Sequence, residues 1–175
     1  NHLKEHFGLL DGCEITFEVD PATVDLYDLE SFLEIGINRV SLGGQSFDNN
    51  ILEKLGRSHR KHHFLEACKW LDDFYQKGRL VSWSIDLIQN VPGQDFSNWK
   101  EQLETAIACN APHISVYELS IEAGTVFAWK KKRGELDLPS EDMALKNMRL
   151  TNKILSKAGF SRYEISNYAF PGHAS

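Results

Sequence analysis

The stretch Glu14-Ile15-Thr16-Phe17-Glu18-Val19-Asp20-Pro21 alternates strictly, with Glu14, Thr16, Glu18 and Asp20 on one side and Ile15, Phe17 and Val19 on the other. A period of two marks a β-strand, because successive side chains of an extended backbone point to opposite faces. Two further segments repeat the pattern. Arg39 to Ser46 sets Val40 and Leu42 against Ser41, Gly43 and Gln45, and the segment near 81–90 sets Ile85 and Leu87 against Ser82, Ser84 and Asp86. A fourth strand is expected over His113 to Ser120 and a fifth over Arg162 to Ala169.

Helical spacing fills the gaps. Leu26, Leu29 and Leu33 predict a helix over 25–35 that Gly36 closes. A short helix near 48–55 is followed by a longer one near 62–77, carrying Phe64, Cys68, Leu71 and Tyr75 and stopping at Gly78. Trp99, Leu103, Ala106 and Ile107 predict a helix over 96–109, and Pro139-Ser140-Glu141-Asp142 opens one over 141–157 that stops at Gly159. The stretch through Gly124 and Gly134 reads as a loop.

Strands alternating with helices imply βαβ units and a parallel sheet. A doubly wound sheet has helices on both faces, so its strands are apolar throughout. Here each strand keeps one polar face, which favours a curved α/β sheet or barrel segment covered only on its convex side. A closed eight-stranded barrel fills its interior with branched apolar side chains. A stripe of Glu, Gln, Ser and Asp therefore implies either a lumen open to a polar ligand or a buried polar network without one. Asp86, between Ile85 and Leu87, must find donors in either case, because an unpaired buried charge is costly. In parallel sheets and barrels ligands bind at the C-terminal strand ends, here Glu18 to Pro21, Gly43 to Ser46, Gln89 to Gln94 and Glu118 to Glu122.

The net charge of -6 argues against a large nucleic-acid footprint, which needs excess Lys and Arg to displace counterions. Lys130-Lys131-Lys132-Arg133 and Arg57 to His63 are the dense basic runs, and both read as solvated surface. No apolar run approaches the roughly 18 residues of a membrane span, and a cytoplasmic protein is expected. Cys13, Cys68 and Cys109 are too far apart for a disulfide framework or a clustered metal motif, and Cys68 falls on an apolar helix face. His59, His62 and His63 lack a nearby carboxylate or Cys coligand, so no metal site is expected there.

Glu14 to Pro21, Asn38 to Phe47, Leu55-Gly56-Arg57-Ser58-His59, Asp86-Leu87-Ile88 with Pro92-Gly93-Gln94, His113 to Glu122, Gly124-Thr125, Arg133 to Leu136 and Tyr163 to Ala169 together resemble one family. That family is the oxygen-independent coproporphyrinogen III oxidase-like radical SAM proteins. The Tyr117 to Glu122 and Tyr163 to Gly172 strings are more similar to its HemW-like heme-chaperone branch than to the decarboxylating oxidases. The resemblance implies a partial (β/α)6 TIM-like barrel that binds S-adenosylmethionine over a 4Fe-4S cluster and cleaves it reductively to a 5′-deoxyadenosyl radical. It also implies a tetrapyrrole partner, heme or coproporphyrinogen III, and a reductant such as flavodoxin or ferredoxin. By position, Glu18, Gln45, Arg57 and Asp86 match S-adenosylmethionine contacts, Ser120 matches a further ligand-contacting position, and Ile88 to Pro92 matches the loop along the adenine edge. Parity puts Glu18 and Gln45 together on the lumen face.

The chain departs from the family at Gly44, where Val is usual, at Ala123, where Pro is usual, and at Gln89-Asn90-Val91 in place of Tyr-Gly-Leu. The family's Cys-x3-Cys-x2-Cys motif is absent, so the cluster ligands are expected outside this chain and no catalytic residue is assigned within it. On this reading residues 1–175 are a fragment of the radical SAM core, inactive alone, lacking the cluster-binding part and a C-terminal domain. Two other functions stay open. One is the decarboxylating oxidase, which converts propionates to vinyls, and the other a non-catalytic heme-binding scaffold. A sugar-phosphate enzyme would need a phosphate loop, for which Gly43-Gly44 alone is weak evidence.

Overall fold

The computed structural model describes residue 6 and residues 8–175. Strands β1 (Thr16–Val19), β2 (Arg39–Gln45), β3 (Ser82–Gln89) and β4 (His113–Glu118) lie side by side in chain order, and each neighbouring pair is parallel. Helices α1 (Leu26–Glu34), α2 (Asn49–Lys54), α3 (Lys61–Gln76) and α4 (Phe96–Ala108) fill the connections between them. After β4 come α5 (Val126–Lys132), α6 (Glu141–Lys157), β5 (Ser161–Arg162) and β6 (Asn167–Ala169).

The helices start where local chemistry supplies acceptors for their free N–H groups. Asp25 accepts from the Asp28 amide at 2.8 Å while the Asp28 side chain accepts from the Asp25 amide at 3.2 Å. Asp48, Asp95 and Ser140 cap α2, α4 and α6 in the same manner. At α3 the acceptor is the ring of His63, whose Nδ1 takes the Arg60 amide proton at 3.1 Å. That histidine serves the backbone.

One face of the sheet is the core. Val19, Val40, Leu42, Ile85, Leu87, Ile114 and Val116 pack against Leu29, Phe64, Leu71, Trp99, Leu103 and Leu155 from the covering helices, all buried. Each such side chain contributes roughly 1.5–3 kcal/mol on burial. Cys68 lies in this layer as its spacing predicts. Its thiol shares a hydrogen bond with that of Cys109, a neighbour made by folding, and burial pushes the Cys68 thiol up.

Two expectations change. The segment expected as a fifth strand is two short strands antiparallel to each other, the sheet order being β1-β2-β3-β4-β6-β5, and β6 runs antiparallel to β4. No helix separates β5 from β6, so the chain returns as a hairpin. Arg162 holds the turn, donating to the carbonyls of Glu164 and Ile165 at 3.1 and 2.6 Å. The presumed loop between Gly124 and Gly134 contains α5, capped by Thr125 Oγ1, which accepts from the Ala128 amide at 3.2 Å. Thr125 as a cap and Gly134 as a left-handed stop were the signals for it. Among the described residues no helix is long and apolar enough to cross a membrane.

Candidate functional site

The other face of the sheet is polar and lines a cavity of about 460 Å³, to which Glu18, Arg39, Ser41, Ser84, His113 and Ser115 contribute. Strand register explains the grouping. Glu18 is level with Ser41, Ser41 with Ser84 and Ser84 with His113, while Asp86 is level with Ser115 and Ser115 with Asn167. The period of two read from the sequence thus becomes a continuous polar surface.

Asp86 finds part of the partner set it requires. Ser41 Oγ donates to its Oδ2 at 2.8 Å and lies 2.8 Å from Ser84 Oγ, while Oδ1 is buried without a hydrogen-bond partner. Burial pushes the Asp86 carboxyl above the ordinary carboxylate range. The Ser41 and Ser115 hydroxyls oppose this, the Glu18 charge adds to it, and Arg39 opposes it.

Gln45 is not among the residues that line the cavity, and it comes to the lumen side by a different route from the one parity predicts. Leu42 is level with Ile85 but Gln45 with Leu87, so β2 carries one extra residue there and Gln45 falls into the apolar register. Its φ of 62° turns it back, and a Cβ on Gly43, in the lumen register, would lie 3.2 Å from Gln45 Nε2. The amide therefore regains the lumen side through a left-handed backbone that side chains rarely adopt.

Arg57 lies after α2, its Nη1 3.5 Å from Asp20 Oδ2 at the end of β1, and 37 % of its side chain is exposed. An ion pair this open is worth at most about 1 kcal/mol, so the guanidinium is available to an anionic ligand. Ser120 is exposed beyond β4 and donates to Glu122 Oε1 at 2.6 Å. It does not line the cavity, although the Leu119 amide, donating to the Gln89 carbonyl at 3.2 Å, keeps it beside the end of β3.

The β3–α4 turn is held from below. The Asn90 amide donates to Gln94 Oε1 at 2.7 Å, and the Asn90 side chain donates to Glu118 at 3.1 Å and accepts from buried Asn147 at 2.9 Å. Asn90 has φ 62°, which explains the substitution for the family's Gly, since Asn tolerates this conformation better than other side chains. Gly44 is equally constrained, because a Cβ there would fall 1.7 Å from Phe64 Cζ. Val cannot stand at 44 while that ring is in place.

Four further residues support the site without having been assigned to it from the sequence. Ser41 and Arg39 share the lumen parity and were legible from it. Asn147 and His59 carried no local signal, one lying in a helix and the other in a basic run. Among the described residues no group of three His, Cys, Asp or Glu is placed to hold a metal ion.

His113 adds a pH dependence. It is 2 % exposed, its Nε2 is 2.8 Å from Tyr163 Oη, and burial together with the Arg39 charge lowers its pKa to about 4. Because the unfolded chain takes up this proton near pH 6.5 and the folded chain only near 4, stability is full above 6.5 and lost as pH falls through that window. The loss should reach roughly 3 kcal/mol. His173, lowered by burial and Arg39, adds a change of the same sign. Urea midpoints between pH 7 and 4 check this, with His113→Gln expected to be the flatter of the two; equal slopes would refute the assignment.

No family model matches the chain. It is 38 % identical over 171 residues to the heme chaperone HemW of Synechocystis, covering 98 % of this chain and 40 % of that protein. It is 34 % identical to the HemW of Lactococcus lactis, covering 93 % and 42 %, and 33 % identical to the bovine mitochondrial radical S-adenosyl methionine domain-containing protein 1, covering 93 % and 36 %. Among solved structures, the radical SAM coproporphyrinogen III oxidase HemN of Escherichia coli superposes with a TM-score of 0.83 at 25 % identity, over 97 % of this chain and 38 % of that one. The chain spans about two-fifths of the length of the curated relatives it matches. Over nearly its whole length the chain is therefore similar in sequence to the HemW heme chaperones, and its fold is the partial TIM-like barrel seen in the radical SAM oxidase HemN.

Proposed function

We propose that the chain forms the S-adenosylmethionine-binding part of a radical SAM protein of tetrapyrrole metabolism, a heme chaperone of the HemW type. The observation that carries this is the Asp86 carboxylate, half enclosed beside a polar cavity with Oδ1 unpartnered. A carboxylate has more lone pairs than the Ser41 hydroxyl uses. Glu18 offers a second carboxylate to ribose hydroxyls, Arg57 a planar fork to the methionine carboxylate, and Gln45 an amide able to donate and accept. The turn from Ile88 to Pro92 offers backbone groups to adenine, and Ser120 a hydroxyl at the rim. These groups match a ligand with a sugar diol, a base and an amino-acid zwitterion.

The residues described supply no ligand set for a 4Fe-4S cluster, so a cluster would be held by other residues. When bound, it supplies the electron for reductive cleavage of S-adenosylmethionine. This chain's part is to bind and orient that molecule and to exclude water along the lumen. The protein is assigned to the cytoplasm, with heme as cargo and flavodoxin or ferredoxin as reductant.

The decarboxylating oxidase is the second reading, favoured by the superposition on HemN. On the intact protein, heme transfer measured beside coproporphyrinogen decarboxylation separates the two. Stable heme binding with transfer and no vinyl product is expected. Decarboxylation without stable heme binding would reverse the choice, and failure to bind S-adenosylhomocysteine would overturn both.

A further inference from the structure

His59 is fully buried, with Nε2 2.9 Å from the Gly44 carbonyl oxygen and Nδ1 3.5 Å from Asp20 Oδ1. A carbonyl only accepts, so Nε2 carries a proton and donates it. The other nitrogen is buried without a hydrogen-bond partner and faces Asp20 Oδ1, which already accepts from the Ala22 amide at 2.8 Å, while the second oxygen of that carboxylate lies 3.5 Å from Arg57 Nη1. Gly44 is the residue before Gln45, and its carbonyl also takes the Ser46 amide at 2.7 Å, so two donors grip the turn in which Gln45 has φ 62°. The His59 backbone is fixed in turn. Arg60 Nη1 reaches the carbonyls of Arg57, Ser58 and His59 at 3.0, 3.3 and 2.9 Å.

From this we infer that His59 is a positioning residue of the ligand site, one ring that sets Gln45 through the Gly44 carbonyl. The inference rests on the S-adenosylmethionine reading above. It goes further in assigning the geometry of a strand-end group to a fully buried side chain. Nothing else in the structure joins β1, β2 and the α2–α3 turn through a single buried group among the described residues with contacts to both Gly44 and Asp20. Without the Gly44 bond, Gln45 would relax from a conformation that is otherwise unfavourable for it.

The test uses two substitutions that each keep one nitrogen. The Gln amide reaches the place of Nε2, so His59→Gln preserves the Gly44 bond, whereas Asn reaches only the place of Nδ1, so His59→Asn preserves the Asp20 contact. On the intact protein, calorimetry with S-adenosylhomocysteine is expected to give a loss of about tenfold for His59→Asn, the equivalent of one hydrogen bond's worth of misplacement. His59→Gln, which keeps the Gly44 bond, should fall within about threefold of wild type for both S-adenosylhomocysteine and 5′-methylthioadenosine. Thermal unfolding of the same samples confirms that each variant is folded. Wild-type affinity in folded His59→Asn, or an equal loss in folded His59→Gln, would overturn the positioning role and leave the cofactor reading standing. Absence of binding by the wild type would overturn the cofactor reading first.

Discussion

Gly44→Val is expected to lower the stability of this protein by about 3 kcal/mol, even though Val is the residue usual at this position in the family it resembles. The reason lies in one ring. A Cβ at 44 would sit 1.7 Å from Phe64 Cζ and 1.9 Å from Cε1. Phe64 has nowhere to go, being fully buried and stacked on Phe47 with centroids 4.3 Å apart and planes 5° from parallel. Insertion therefore forces a backbone shift in β2, next to Gln45. For a chain of this size the midpoint of thermal unfolding should fall by roughly 10 °C. Because one contact causes the loss, Gly44→Val combined with Phe64→Leu should be markedly more stable than the sum of the single effects implies. Strict additivity in that cycle, or an unchanged midpoint in the single variant, would show that the ring is not the obstacle.

Asp86→Asn should separate stability from ligand binding. The wild-type carboxyl is raised above its ordinary range chiefly by burial, so the folded state prefers it protonated. The stability linked to that proton is present below the ordinary carboxylate range and is lost as pH rises through the folded pKa. At neutral pH the protein thus carries a buried charge with one oxygen unpartnered. Asn keeps an acceptor for Ser41 and removes the charge, so the variant should be more stable than wild type by about 1 kcal/mol at pH 7 and no different near pH 3. Affinity for S-adenosylhomocysteine should meanwhile drop by about tenfold or more, since a hydrogen bond to a charged acceptor is among the stronger ones. Denaturant titration at the two pH values and calorimetry at pH 7 measure both. A destabilised variant, or one that binds as the wild type does, would remove Asp86 from the site.

These two residues also mark where sequence reading succeeds and where it stops. The four parallel strands were legible because a period of two survives any packing arrangement. Glu18, Ser41, Ser84 and Asp86 follow from it directly. The helices were legible from apolar spacing and, at α6, from the start signal at Pro139-Ser140, whereas the Asp25 and Asp48 caps came to light only in the structure. The antiparallel return of β6 was not, because a strand's residues do not encode the direction of its neighbour. Nor was α5, whose apolar residues Val126 and Trp129 remain exposed and so leave no buried stripe.

The sequence alone determined that one face of the sheet would be polar, that Asp86 would need donors, and that a family of radical SAM proteins shares these strand ends. The first two are properties of alternation and residue chemistry, which the backbone carries locally, and the third is a resemblance of sequence strings. Only the tertiary structure decided that Gln45 reaches the lumen through a bulge, that Phe64 forbids a side chain at 44, and that His59 joins Gly44 to Asp20. Each of those is a contact between segments far apart in the chain, fixed by how the helices settle on the sheet, and no local pattern of residues specifies such a distance.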